Sequence, residues 1–163
     1  MPKITPFLWF DDQAEEAVDF YLTVFPNSSI ERVVRQSEAG PGPTGAVMTI
    51  QFTLDGNEFV ALNGGPIHYG FDESVSFVVD CATAADVDHY WSALGDGGAE
   101  IACGWLQDRY GLRWQIVPSE LIPLLADPDP GRAGRAAEAM LSMIKLDIEA
   151  IKAAADGGGP TDG

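Results

Sequence analysis

One order of elements is written twice along this chain, and that repetition restricts its fold more than any other feature. Ile4 to Phe10 is a short apolar run with Pro6 inside it, which reads as an edge or terminal strand. Asp12 with Glu15 three residues later has the capping-box pattern, and Ala14, Ala17, Val18, Tyr21, Leu22 and Phe25 follow at helical spacing. Pro26-Asn27-Ser28 stops that helix. Strand-like runs over Ile30–Gln36, Ala46–Leu54 and Glu58–Asn63 come next, the last two joined by the hairpin signal Asp55-Gly56. Beyond Gly64-Gly65-Pro66 the order begins again. Ser74–Asp80 is a strand, Thr83 caps a helix with the apolar face Val87, Tyr90, Trp91 and Leu94, and short strands fall near Ala99–Cys103, Gly104–Asp108 and Leu112–Val117. The pattern β-α-β-β-β therefore recurs over 4–63 and 74–118. A repeat of this size implies two similar modules, because one such module alone cannot hide its apolar sheet face.

The segment after Pro118 differs in kind. The periodicity predicts a helical stretch from about Arg132 to Ala155 with two apolar stripes, one through Ala137, Met140, Leu141, Ile144, Ile148 and Ile151, the other through Ala139, Met143, Leu146 and Ala150. So wide an apolar arc needs cover on more than one side, from the parent domain or from a second subunit. Asp156 to Gly163 reads as an acidic, glycine-rich end.

Charge narrows the partners. With 9 Lys and Arg against 25 Asp and Glu, the 163 residues carry a formal net charge of −16, which phosphate backbones and anionic membrane surfaces repel. The expectation is no nucleic acid and no membrane as partner. MPKITPFLWFDD lacks the basic and apolar regions of a signal peptide and no run reaches 18 apolar residues, so a cytoplasmic protein is expected, with Cys81 and Cys103 as free thiols.

Two βαβββ units opened by FDDQAEEAVDFY and SVSFVVDCATAADVDHYW resemble the vicinal oxygen chelate superfamily of glyoxalase, bleomycin-resistance and extradiol dioxygenase proteins. The segments TPFLWFDDQAEEAVDFYLTVFPNS, ALNGGP, CGWLQDRYGLRWQIVP and AMLSMIKLDI are similar to a narrower branch, the PhnB-like proteins often labelled 3-demethylubiquinone-9 3-methyltransferase. The resemblance implies an α+β fold: two βαβββ modules forming a curved eight-stranded mixed sheet around a cleft, with C-terminal helices over 119–155, all within a single domain of residues 1–163. It also implies a small organic molecule as ligand and, commonly, a homodimer.

Chemistry in that superfamily rests on a divalent ion held by His and Glu side chains on the first and last strands of each module, acting as a Lewis acid. Counted from the strand–helix junctions, those positions hold Thr5, Ser74 and Gln115, with Ala61 or Asn63 at the fourth-strand position. Two hydroxyls and a carboxamide bind a divalent transition metal poorly, so no cofactor is expected. Strand alternation places Phe7 and Trp9, Ser76 and Val78, and Arg113 and Val117 on the same side as those three positions, and Leu8, Phe10, Phe77, Val79, Trp114 and Ile116 under the helices. The candidate ligand-binding residues are Phe7, Trp9, Asn63, Ser76, Arg113 and Gln115. Packing and a surface charge are the competing readings for Trp9 and Arg113, and a satisfied core amide for Gln115.

Other signals invite overreading. Gly40-Pro41-Gly42-Pro43-Thr44-Gly45 matches G-x-G-x-x-G, yet two prolines remove donors and a strand follows where a phosphate loop needs a helix. The same absence weighs against methyl transfer from S-adenosylmethionine. His89 reads as an exposed helix residue, His68 as a loop residue that could serve as a polar contact or general acid–base group, and Cys103 as a small thiol with no recognisable His partner. The expected activity is metal-independent binding of a small molecule. The alternatives are a metal-dependent isomerase or dioxygenase and the methyltransferase of the branch label.

Overall fold

The structure, a computed structural model, describes residues 2–158. Two compact units divide at Gly70/Phe71. In the first, β1 (Phe7–Phe10), α1 (Ala14–Val24), β2 (Ser29–Arg35), β3 (Val47–Leu54) and β4 (Asn57–Asn63) form a four-stranded mixed sheet of order β1-β4-β3-β2. The β1–β4 pair is parallel and the others antiparallel. The second unit repeats this with β5 (Phe77–Cys81), α2 (Ala84–Gly95), β6 (Ala99–Glu100), β7 (Trp105–Gln107) and β8 (Arg113–Pro118), in the order β5-β8-β7-β6. Both modules thus have the βαβββ order of the glyoxalase/bleomycin-resistance fold, and a helical extension follows: α3 (Leu121–Leu125), α4 (Pro130–Leu141) and α5 (Ile148–Ala155).

Period-two alternation builds each core. Leu8 and Phe10 of β1, Ile50 and Phe52 of β3 and Ala61 of β4 are buried, as are Ala14, Ala17, Val18 and Tyr21 of α1, which lies on β3 and β4. Leu22, expected on the same helical face, is half-buried, and Val24 is buried beside Phe25. In the second unit Leu106, Trp114 and Ile116 are buried with Val87, Trp91 and Leu94 of α2. Asp55 and Gly56 join β3 to β4 with φ of 45° and 75°, the two positive values that a two-residue hairpin turn requires.

The helix starts differ from one another. Thr83 accepts from the Asp86 N–H at 3.1 Å and the Asp86 carboxylate accepts from the Thr83 N–H at 2.9 Å, a complete capping box. The box predicted for the first helix does not form: its N-cap is Gln13, with no side-chain cap of its own. Instead Asn63 Oδ1, 49 residues away in sequence, accepts from the Ala14 N–H at 2.8 Å.

The predicted single helix over 132–155 is two helices. Asp147, through its side chain, accepts from the Ala150 N–H and starts α5 afresh, so the chain folds back between Leu141 and Ile148. The return packs Met140, Ile148 and Ile151 of one stripe with Ala139, Met143 and Leu146 of the other in one cluster, rather than covering both around one cylinder. Ala136, Leu146, Ile148, Ile151 and Ala155 share a cluster with Leu121, Leu124 and Val117. Val117, expected on the same face as Gln115 and open, is covered by this extension. Ile144 and Leu141 remain exposed.

A left-handed pair anchors the return. Cys103 and Gly104 have φ of 60° and 81°, and their N–H groups donate to Met143 O at 2.9 Å and Ile144 O at 2.7 Å. A Cβ at position 104 would lie 2.7 Å from Leu146 Cδ1 and 2.9 Å from Ile116 O, so only glycine fits where the extension crosses the sheet.

Candidate functional site: the open sheet faces

Each sheet has one face under its helix and one face without helical cover from its own module. In the first module the open face carries Phe7 and Trp9 beside Val60 and Leu62, their register partners on β4. Phe7 is 59% and Trp9 42% exposed, against 7% and 3% for the alternating Leu8 and Phe10. The indole is held in place: Trp9 Nε1 donates to Gly65 O at 2.9 Å. A Cβ on Gly64 would sit 2.2 Å from Trp9 Cε2, so the glycine of ALNGGP is the floor on which the ring lies.

Asn63 is not on that face. It pairs with Phe10, which points under α1, and both ends of its amide are engaged: Oδ1 with the Ala14 N–H, and Nδ2 donating to Val47 O at 3.2 Å. Its place in the fold is to join the sheet to the helix start.

In the second module Gln115 lies between Val78 and Trp105, its register partners on β5 and β7. Gln115 Nε2 donates to Ser76 Oγ at 2.9 Å, so two of the six candidates meet directly. Arg113, two residues before Gln115 on β8, donates through Nε to Glu73 Oε1 at 2.9 Å and through Nη1 to Gly111 O. Its side chain is only 12% exposed. The guanidinium hydrogen bond holds the Glu73 carboxyl below its ordinary range, and the Ser74 hydroxyl and N–H do the same for Asp72. Trp105 was not singled out from the sequence; its face follows only once the register of a three-residue strand against β8 is known.

The positions that would hold an ion in the superfamily do not fit one. Thr5 precedes β1, and Ser74 lies in a turn before β5, where both its N–H and its hydroxyl donate to Asp72 Oδ1. The strand expected from Ser74 begins only at Phe77. Thr5, Ser74 and Gln115 are each a neutral oxygen-bearing side chain, where a divalent transition ion favours imidazole, carboxylate or thiolate. Among the described residues no three His, Cys, Asp or Glu side chains gather to hold a metal.

The remaining motifs resolve simply. Gly40 to Gly45 connects two antiparallel strands, β2 and β3, and packs over Gln36, whose Oε1 would lie 2.3 Å from a Cβ at position 40. No helix follows it to receive a phosphate. His68 and His89 are both exposed, His68 in the loop after β4 and His89 on α2. Both cysteines are free; burial, with Asp86 and Asp80 adding to it, pushes the Cys81 thiol up to about 11, which keeps it protonated and unreactive near neutrality. Among the described residues no helix is long and apolar enough to cross a membrane.

Comparison with known proteins gives this arrangement its relatives. The family model described as 3-demethylubiquinone-9 3-methyltransferase matches residues 2–117. A solved structure described as a putative 3-demethylubiquinone-9 3-methyltransferase, PhnB protein, from Bacillus cereus is 35% identical, with a TM-score of 0.66 over 72% of this chain and 99% of that one. A Pseudomonas aeruginosa protein is 19% identical with a TM-score of 0.60, covering 72% of this chain and 98% of that one. The genomically encoded fosfomycin resistance protein FosX from Listeria monocytogenes shares the fold at 11% identity and a TM-score of 0.51, over 72% of this chain and 93% of that one. No curated protein matches. The chain belongs to the 3-demethylubiquinone-9 3-methyltransferase (PhnB-like) family, on the glyoxalase/bleomycin-resistance fold.

Proposed function

We propose that this protein binds a small organic molecule on the open faces of its sheets, and that it does so without a divalent ion. The observation that carries the reading is the pair Phe7 and Trp9: two aromatic rings left 59% and 42% exposed on a sheet face whose alternate residues form the core, with Trp9 fixed by its bond to Gly65 O. Pre-ordered aromatic surface of this kind accepts an apolar ligand with little further loss of side-chain freedom. The neutral donors at Thr5, Ser74 and Gln115 favour metal independence. A net charge of −16 opposes both nucleic acid and an anionic membrane surface as partner.

The family's name speaks of methyl transfer. Nothing in the loop from Gly40 to Gly45 favours a nucleotide-like methyl donor, because the loop turns from strand into strand.

The test is chelation. Protein purified without chelator, then dialysed against EDTA, is expected to keep its melting temperature and its tryptophan fluorescence response to added aromatic compounds, and to give a flat calorimetric titration with millimolar S-adenosylmethionine. Stoichiometric transition metal in the purified protein, with a lower melting temperature after its removal, would overturn metal independence. Saturable S-adenosylmethionine binding would restore the methyltransferase reading.

A further inference from the structure

We propose that the Ser76–Gln115 pair recognises an uncharged group bearing a hydrogen-bond acceptor and a donor side by side, a carboxamide or lactam, on a ligand whose apolar body rests against Val78 and Trp105. The proposal rests on the reading that ligands occupy the open faces and deepens it to a substrate class. Gln115 Nε2 donates to Ser76 Oγ at 2.9 Å, and among the described residues neither Gln115 Oε1 nor the Ser76 hydroxyl proton has a further partner. The pair therefore presents one acceptor and one donor. Turning the amide over changes nothing in kind: the hydroxyl would then donate to Oε1, leaving an amide N–H as donor and the Ser76 oxygen as acceptor.

Its surroundings select against charge. Val78 and Trp105 flank Gln115 in register on either side, and side chains directly opposite in this way stand about 5 Å apart at Cβ. Val78 is 59% exposed, so the apolar flank is open to a ligand. The cation nearest along β8, Arg113, is balanced by its bond to Glu73 and also faces the charge of Asp72. A carboxylate would find no unbalanced cation and would meet the acceptor of the pair; an ammonium would leave the donor unmatched. A carboxamide matches both.

The experiment titrates the full-length, ¹⁵N-labelled chain with benzamide, benzoate, benzylamine and methyl benzoate at millimolar concentration, following amide shifts that include the Gln115 side chain. Benzamide is expected to shift that resonance and to bind at least about fivefold more tightly than the other three, the ratio one net hydrogen bond supplies. Gln115→Leu and Ser76→Ala should each abolish the preference, and Gln115→Glu, nearly isosteric and therefore a safeguard against a misfolded variant, should transfer it to benzylamine. Equal binding of all four probes, or a benzamide preference that survives these substitutions, overturns the proposal while leaving the binding faces standing. Failure of every probe to perturb residues of either open face overturns both.

Discussion

Asp108 is a carboxylate with no exposed surface, held by three donors: the N–H groups of Tyr110 and Leu112 at 2.8 and 3.0 Å, and Trp114 Nε1 at 2.8 Å. It ties the β7–β8 turn to the core ring behind the Gln115 face. Asp108→Asn would turn an amide N–H towards a donor, and it is expected to cost about 3 kcal/mol in urea-induced unfolding, since a buried charge-assisted bond is lost and a donor is left unmatched. A change below about 1 kcal/mol would show that the carboxylate is not the tie it looks like. Single residues of this sort are where sequence reading fell short. Leu8, Phe10, Trp114 and Ile116 were legible as core because burial follows strand alternation. Asp108 and Asn63 were not, because each is defined by partners that only the turn or the completed sheet delivers.

The same contrast holds between the two module helices. Thr83 and Asp86 form a local box that could be read from four consecutive residues, whereas the start of α1 is supplied by β4. Thr83→Ala is expected to lower stability by about 1 kcal/mol. Asn63→Ala should cost about 2 kcal/mol, since the bond to Val47 O is lost as well. Thermal unfolding of the single and double variants checks both, and the effects should add, because the two residues lie in different units. The Asp12–Glu15 pattern misled because a capping pattern states what a helix end could use, not what the fold already provides. The extension misled in a similar way: two apolar stripes are compatible with one covered helix or with two helices packed on each other, and the Asp147 cap between them decides for the second.

At the scale of the whole molecule, what was legible is the repeated order, the fold and the family; what was not is the way residues beyond the second module are bound to it. The attachment is tested by Gly104→Ala. The added methyl would lie 2.7 Å from Leu146 Cδ1 at a φ of +81°, so the return between α4 and α5 should lift off, and limited proteolysis should cut near residues 142–147 well before it cuts the wild type. Unchanged cleavage would mean that the extension stays docked without this crossing. The match to the family model ends at residue 117, and Val117 is the residue of β8 that α3, α4 and α5 bury. That end of the strand is consequently roofed over. Anything that would pair with that end of the strand must first evict the helices.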